Sequence, residues 1–199
     1  MPIERTAYLL STNHSSDRTL FSANLLREIG FKVVLVKHIP HENSILSNRL
    51  SMQLIYDTIQ RGSEEFAYVF EDDINKKERI TLEEIVKYEI LSDMFFYLGI
   101  CENRGVSTIK DTYYSVFNHK VVSISGNVRG LHAIGLSKKG ASELLRFSNH
   151  CKYIYMDMVV EEFTKKYPAN IVRYDLEGDI PGHRGILFQD RKRFPSTIK

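Results

Sequence analysis

Three consecutive acidic residues, Glu71, Asp72 and Asp73, directly follow an apolar run over residues 66–70. A strand that ends in carboxylates delivers them to the carboxyl edge of an open α/β sheet, where such sheets bind ligands. Neighbouring carboxylates raise each other's pKa unless a cation compensates their charge, and Mg²⁺ or Mn²⁺ suits oxygen ligands and bridges them to substrate phosphates. The pattern favours a divalent-metal site, but a solvated acidic turn would produce the same pattern.

A second acidic group lies on a predicted helix. Asp157 and Glu161 are four residues apart and share one helical face, with Glu162 beside them. A carboxylate on that face could act as a general base towards a pocket. For the spacing alone, an exposed acidic helix surface is the better interpretation. The apolar residues around Asp157 place it at a partly buried boundary.

The C-terminal quarter adds two further candidates. His183 lies in a glycine-rich stretch, residues 178–185, which could fold over a ligand. Arg191 and Arg193 follow Gln189 in a basic tail, and a guanidinium group matches a phosphate group through two hydrogen bonds. Surface solvation explains these arginines equally well. The sequence contains no nucleophile-elbow serine, no catalytic-cysteine signature, no phosphate-binding Gly-Lys loop and no dinucleotide fingerprint.

The elements that must position these residues alternate between strand-like and helix-like patterns, which predicts an α/β domain with a mostly parallel central sheet flanked by helices. Strands are predicted at residues 7–10, 32–36, 66–70, 94–98 and 171–174, with weaker ones at 113–117 and 121–124. Helices are predicted to begin at Asp17, at Asn43 or Ser47, at Thr81, at Ser137 and near Met156. After Asp175 the sequence predicts a loop.

The composition excludes several classes of protein. A chain of 199 residues with 43% apolar and 26% charged residues suits one ordered globular domain. A net charge of +2 gives no reason to expect a nucleic-acid partner. Cys101 and Cys151 lack metal-ligand spacing, so we expect two inert thiols in a reducing compartment. Since no apolar run approaches the ~20 residues of a spanning helix, we expect no transmembrane segment and a cytoplasmic location.

Several segments, taken in order, resemble a known enzyme family. They are the opening strand with Asp17-Arg18, Leu50-Ser51-Met52, the segment 70–74 with Glu-Asp-Asp, the segment 131–141 that leads into Ser-x-x-Gly-Ala, Tyr155-Met156-Asp157-Met158, and the tail 185–198 with Gln189 and Ser196. Together they cover almost the whole chain and resemble glycosyltransferase family twenty-five, the lipooligosaccharide and collagen galactosyltransferase type. Two features depart from the family: Met52 stands where it has a histidine, and the chain is short.

The resemblance implies a GT-A fold and an inverting glycosyltransferase that depends on Mn²⁺ or Mg²⁺. Such an enzyme moves a hexose from a nucleotide-sugar donor, here most simply a UDP-sugar, to a hydroxyl of a glycan or glycoprotein acceptor. It further implies a single catalytic domain over residues 1–199, with the donor part at about 1–100 and the acceptor part at about 101–199.

The resemblance also assigns roles to individual residues. Glu71 and Asp73 would hold the metal, and His183 would complete its shell or contact the diphosphate. Asp157 would be the catalytic base. The residues expected to bind the donor are Asp72, Asp17, Arg18, Gln189 and Arg191. The residues that bind the acceptor are not identified.

Two other functions are compatible with the same residues. A different metal-dependent enzyme, for phosphoryl or nucleotidyl transfer, could use the acidic motif but would need a second carboxylate pair for another metal, and none is obvious in the sequence. A catalytically silent nucleotide-sugar-binding or assembly module would keep the fold. The presence of all three acidic residues argues against that loss of activity.

Overall fold

The computed structural model describes residues 3–103, 108–114, 119–124, 126, 128–172 and 184–195. The strands in these ranges are β1 (Thr6–Ser11), β2 (Lys32–Lys37), β3 (Phe66–Glu71), β4 (Ile74–Lys76), β5 (Phe95–Ile100), β6 (Glu102–Asn103), β7 (Thr108–Tyr114), β8 (His119–Ile124), β9 (Val128–Arg129), β10 (Ala133–Ser137), β11 (Ala169–Val172), β12 (Arg184–Gly185) and β13 (Leu187–Gln189). The helices are α1 (Asp17–Ile29), α2 (Ser44–Arg61), α3 (Leu82–Val86), α4 (Lys138–His150) and α5 (Met156–Lys166), and a 3₁₀ helix (Lys87–Leu91) follows α3.

The central sheet has the strand order β2-β1-β3-β10-β5-β11-β8-β7, with β12 paired to β5. Strands β1, β2 and β3 are mutually parallel, as are β5 and β11. Strand β10 lies between β3 and β5 and is antiparallel to both. Within the described residues most strands of this sheet therefore point the same way, which confirms the predicted mixed α/β fold. Two small antiparallel pairs, β4 with β13 and β6 with β9, lie outside the central sheet.

The residues of β3 explain how the sheet is covered on both faces. Successive side chains of a strand point to opposite faces, and a strand buried on both sides is continuously apolar. Ala67 and Val69 pack with α2, α4 and α5, whereas Phe66, Tyr68 and Phe70 pack with α1 and α3. The acidic motif is thus attached to the end of a strand that lies inside the core.

Side-chain caps fix the helix starts where the sequence predicts them. Ser16 accepts from the Thr19 amide just before α1, and Asn43 accepts from two amides at the start of α2. Thr81 forms the predicted capping box with Glu84, and Ser137 caps α4. Each cap satisfies amides that the first helical turn leaves without partners.

The last part of the chain departs from the prediction. The described tail forms β12 and β13 where the sequence predicts a loop, so that prediction is wrong for residues 184–185 and 187–189. The register of β13 places Gln189 opposite Ile74 of β4, a pairing between distant segments that no local pattern reveals. Strand β11 also begins two residues earlier than predicted, directly after Pro168. In the described part of the chain, no helix combines the length and apolarity needed to cross a bilayer.

Candidate active site

The acidic motif lies at the carboxyl edge of the sheet, as its position after a strand predicts. Glu71 is the last residue of β3, and Asp72 and Asp73 form the turn into β4. Because β1 and β2 run parallel to β3, their carboxyl ends open at the same edge. This edge is where open α/β sheets bind ligands.

Asp72 is attached to the first turns of α1. Its Oδ1 accepts from Arg18 Nε at 2.6 Å, and its Oδ2 accepts from Thr19 Oγ1 at 3.1 Å. The Ser22 hydroxyl donates to the Asp72 carbonyl at 2.8 Å. These contacts hold a nearly buried carboxylate in one orientation and bring Arg18, a predicted donor-binding residue, to the motif.

Asp73 is completely buried between two arginines. Its Oδ2 lies 3.1 Å from Arg18 Nη2 and 3.4 Å from Arg191 Nε. Within the described residues this oxygen nevertheless receives no well-aligned hydrogen bond. Burial raises the pKa of Asp73, and the two guanidinium groups oppose that rise. The predicted tail residue Arg191 therefore belongs to the site.

Gln189 links the carboxylates of Glu71 and Asp73. Its Nε2 donates to Glu71 Oε2 at 2.6 Å and to Asp73 Oδ1 at 3.3 Å, so both carboxylates lie within reach of one nitrogen. Burial and the neighbouring Asp73 raise the pKa of Glu71 to about 8. Gln189 Oε1 accepts from Arg191 Nη2 at 3.0 Å and from Cys101 Sγ at 2.6 Å. This amide is thus held at the centre of the cluster.

Two adjoining clefts open beside the motif in the described structure. The smaller has a volume of about 170 Å³, and its lining includes Thr12, Arg18, His38, Ser44 and Asp72. The larger has a volume of about 340 Å³, and its lining includes Cys101, Arg129, Tyr155, Asp157 and Gln189. Glu71, Asn48 and Arg191 line both clefts. Glu71, the least buried carboxylate of the motif, therefore lies where the two clefts meet.

The carboxylates of Asp157, Glu161 and Glu162, which form the second acidic group, have different surroundings in the structure. Asp157 lies in the first turn of α5, accepts from the Met158 amide at 2.9 Å and lines the larger cleft. Glu161 instead pairs with Arg129 Nε at 3.4 Å, and Glu162 pairs with Lys165 at 2.5 Å. Of the three, only Asp157 is among the residues that line the larger cleft.

The remaining sequence candidates lie elsewhere. Asp17 is exposed in the first turn of α1 and is not among the residues that line the two clefts. Arg193 lies over the Phe21 ring, 4.1 Å from its centroid, rather than at the carboxylates. His183 lies outside the described residues, so its predicted place in the site remains a prediction, and Ser196 of the tail that resembles the family also lies outside them.

Sequence reasoning missed several residues that line the clefts. Cys101 and His38 each follow a strand end directly, at the sheet edge that carries Glu71, and this position was the available signal. Burial raises the pKa of the Cys101 thiol, which donates to Gln189, and burial lowers the pKa of His38. Arg129 and Tyr155 carry no comparable local signal, since tertiary packing alone brings them to the larger cleft.

The side chains of the acidic motif suit a cation that is also bound by the substrate. No three His, Cys, Asp or Glu side chains of the described residues form a complete metal-ligand group. Mg²⁺ is commonly held by one or two carboxylates plus substrate phosphates, which does not require such a group. When all three carboxylates are ionised, they and the two guanidinium groups give a formal charge of −1 (3 negative, 2 positive), and the raised pKa of Glu71 reflects burial together with this excess of negative charge. Glu71 lines both clefts, where such a cation could reach it, whereas Asp73 is completely buried and lines neither cleft, although its Oδ2 has no hydrogen-bond partner among the described residues.

Comparisons with known proteins show which solved structures share this fold. No protein-family model and no curated protein matches the sequence. Among solved structures, the chain is similar to the CTP:phosphocholine cytidylyltransferase of Streptococcus pneumoniae, with a TM-score of 0.50, 12% identity and coverage of 93% of each chain. It is also similar to a UDP-glucose pyrophosphorylase in complex with UDP-glucose, with a TM-score of 0.50, 10% identity, and coverage of 87% of this chain and 93% of the other.

At this level of identity the likeness establishes the fold alone. The chain has the mixed α/β fold of these two nucleotide-using transferases. Membership of glycosyltransferase family twenty-five stays a prediction, since no family model and no curated protein matches the sequence.

Proposed function

We propose that this chain is a glycosyltransferase that moves a hexose from a nucleotide-sugar to a hydroxyl of a glycan or glycoprotein acceptor, with inversion and with Mn²⁺ or Mg²⁺. The observation that carries the proposal is the meeting of two clefts at Glu71, with Asp157 in the larger one. Transfer between two substrates needs two adjoining sites, and an acceptor hydroxyl needs a base. Two adjoining clefts and the Asp157 carboxylate lie at the edge of the sheet where α/β folds bind ligands, and this arrangement supports the proposal.

The smaller cleft suits the nucleotide part of the donor. Thr12, His38 and Ser44 offer hydrogen-bonding groups for a base and a ribose. Arg191 lines both clefts, where its guanidinium group can bind the diphosphate. A cation held by Glu71 and Asp73 would neutralise the charge that develops on the diphosphate as it leaves.

The larger cleft suits the acceptor. Asp157 takes the proton from the acceptor hydroxyl as that oxygen attacks the anomeric carbon, and the bond from this carbon to the diphosphate oxygen breaks. Attack from the face opposite the leaving group inverts the configuration. The products are the glycoside and a nucleoside diphosphate.

Nucleotidyl transfer is the second candidate, and two observations favour it. Both structural neighbours are named for that class of reaction. Arg129 and Arg191 line the larger cleft and could attract a phosphorylated acceptor. However, a phosphate oxygen needs no base, Asp157 would repel it, and Arg129 is already paired with Glu161. The carboxylate in the acceptor cleft therefore favours a hydroxyl acceptor.

The released product distinguishes the candidates. The protein would be incubated with a panel of nucleotide-sugars, with and without Mn²⁺, and in parallel with nucleoside triphosphates plus sugar 1-phosphates or phosphocholine. Release of a nucleoside diphosphate from a nucleotide-sugar is the expected result. Release of pyrophosphate alone would establish nucleotidyl transfer instead. Nucleotide binding with neither product would identify the silent module.

A further inference from the structure

Tyr155 is an exposed aromatic residue on the wall of the larger cleft. It precedes α5 directly, it is 45% exposed, and it lines the cleft together with Asp157. Large aromatic side chains are usually buried to a greater extent, so an exposed ring in a concave site points to a ligand that covers it. The adjacent Ile154 is 44% exposed but is not among the residues that line the cleft.

The backbone that carries Tyr155 is held firmly on both sides. Arg49 of α2 donates to the carbonyl oxygens of Ser148, Cys151 and Tyr153. These hydrogen bonds hold the segment between α4 and α5 against α2. The Tyr155 carbonyl accepts from the Val159 amide at 3.1 Å as α5 begins. A ring with two side-chain torsions on a fixed backbone loses little conformational entropy when a ligand covers it.

The groups around Tyr155 combine apolar surface with hydrogen-bonding groups. Asn48, Arg129 and Asp157 supply donors and acceptors, while Ile45 and Leu131 supply apolar surface. A pyranose has the matching character, because its C–H groups form apolar faces and its hydroxyls surround the edge. The volume of about 340 Å³ lies at the lower end of the range for small-molecule sites.

We infer that Tyr155 is the platform on which a pyranose ring of the acceptor lies, with the hydroxyls of that ring directed towards the polar groups of the larger cleft. The identification of this pyranose as the acceptor rests on the proposed function. The ring face, not the tyrosine hydroxyl, makes the contact. Tyr155→Phe should therefore keep the site, whereas Tyr155→Ala should remove the platform.

The test measures binding of simple sugars without any transfer. Methyl glycosides of galactose, glucose, mannose and N-acetylglucosamine would be titrated by NMR against the wild type and against Tyr155→Ala, Tyr155→Phe and Ile154→Ala. We expect at least one glycoside to bind the wild type, with a Kd about tenfold higher for Tyr155→Ala. Tyr155→Phe and the matched control Ile154→Ala should stay within about twofold of the wild type.

A melting series with nucleotides on the same variants separates this inference from the proposed function. If no glycoside binds the wild type, or if Tyr155→Ala binds as well as the wild type, the platform is overturned, whatever the nucleotides do. If glycosides bind in a Tyr155-dependent way but no nucleotide stabilises the protein, the sugar platform stands and the proposed donor chemistry fails.

Discussion

The side-chain amide of Gln189 lies 2.6 Å from Glu71 Oε2 and 3.3 Å from Asp73 Oδ1. The two ends of this contact are far apart in the sequence, and the pairing of β13 with β4 brings them together. The Asp190 amide adds a 2.7 Å hydrogen bond to the Asp73 carbonyl. The C-terminal segment is thus one wall of the candidate site.

Replacing Gln189 by alanine should lower the free energy of unfolding by about 2 kcal/mol, because the change removes the hydrogen bonds that Gln189 makes with the partly buried Glu71 carboxylate and Cys101 thiol. Urea denaturation followed by circular dichroism measures this loss. Gln60→Ala is the matched control, since Gln60 makes one 2.7 Å hydrogen bond to Asp57 within the same helix, and its loss should cost about 0.5 kcal/mol. Equal losses for the two variants would show that Gln189 does not tie the site together.

Arg18→Ala should destabilise the protein by about 3 kcal/mol, because Arg18 contacts both Asp72 and the completely buried Asp73. Lysine should not rescue it, since one ammonium group cannot make the two forked contacts. Adding Mn²⁺ should recover part of the lost stability if a cation can occupy this cluster. Arg27→Ala, which removes an exposed contact to Asn24, is the control. A loss no larger than that of the control would contradict the assigned role of Arg18.

Gly99→Ala should displace the C-terminal segment. A Cβ at this position would lie 2.0 Å from the Leu187 carbonyl oxygen and 2.5 Å from His132 Nε2, so the backbone of β13 must shift. We expect a loss of about 3 kcal/mol in stability and no remaining nucleotide-dependent stabilisation. Gly62→Ala is a matched control, because its Cβ would lie 3.3 Å from the Ile59 carbonyl oxygen, a much milder approach than the 2.0 Å at Gly99. Normal nucleotide binding by Gly99→Ala would show that β13 is not part of the nucleotide site.

Asp157→Asn should separate transfer from donor hydrolysis. The asparagine can still accept from the Met158 amide, so the fold should be unchanged, but it cannot accept the proton of the acceptor hydroxyl. Transfer to a glycoside should fall by about 10²–10⁴-fold, while slow hydrolysis of the donor by water continues. Nucleoside diphosphate release with and without an acceptor measures both rates. Glu162→Gln, which alters a pair with Lys165 outside the cleft, should leave both unchanged. Undiminished transfer by Asp157→Asn would remove this residue from the mechanism.

Local signals in the sequence predicted those parts of the fold that local contacts determine. Ser16, Asn43, Thr81 and Ser137 each cap the helix that follows through bonds to amides two or three residues away, and such bonds leave a readable pattern. Glu71 was found because a run of apolar residues precedes it. These features depend on neighbours in the chain.

The rest of the site depends on distant contacts. The strand that carries Gln189 has only three residues, and its pairing with β4 follows from tertiary structure rather than from its own sequence. Tyr155 and Arg129 reach the larger cleft because α5 and β9 pack beside β5 and α2. The separation of Asp157 from Glu161 and Glu162 likewise follows from the partners of the latter two, Arg129 and Lys165, which helical spacing cannot reveal.

The central claim is that the edge of the sheet at Glu71 and Asp73 binds a nucleotide diphosphate together with a divalent cation. The most direct test is the melting temperature of the wild type and of Asp73→Asn with UDP, GDP, CDP and ADP, each with and without Mn²⁺. At a nucleotide concentration about 100-fold above Kd, binding stabilises by about 2.7 kcal/mol, which corresponds to a rise in Tm of about 5–10 °C. We predict that rise for one nucleotide, only with Mn²⁺ and only in the wild type. No rise with any nucleotide, or an equal rise in Asp73→Asn, would contradict the claim.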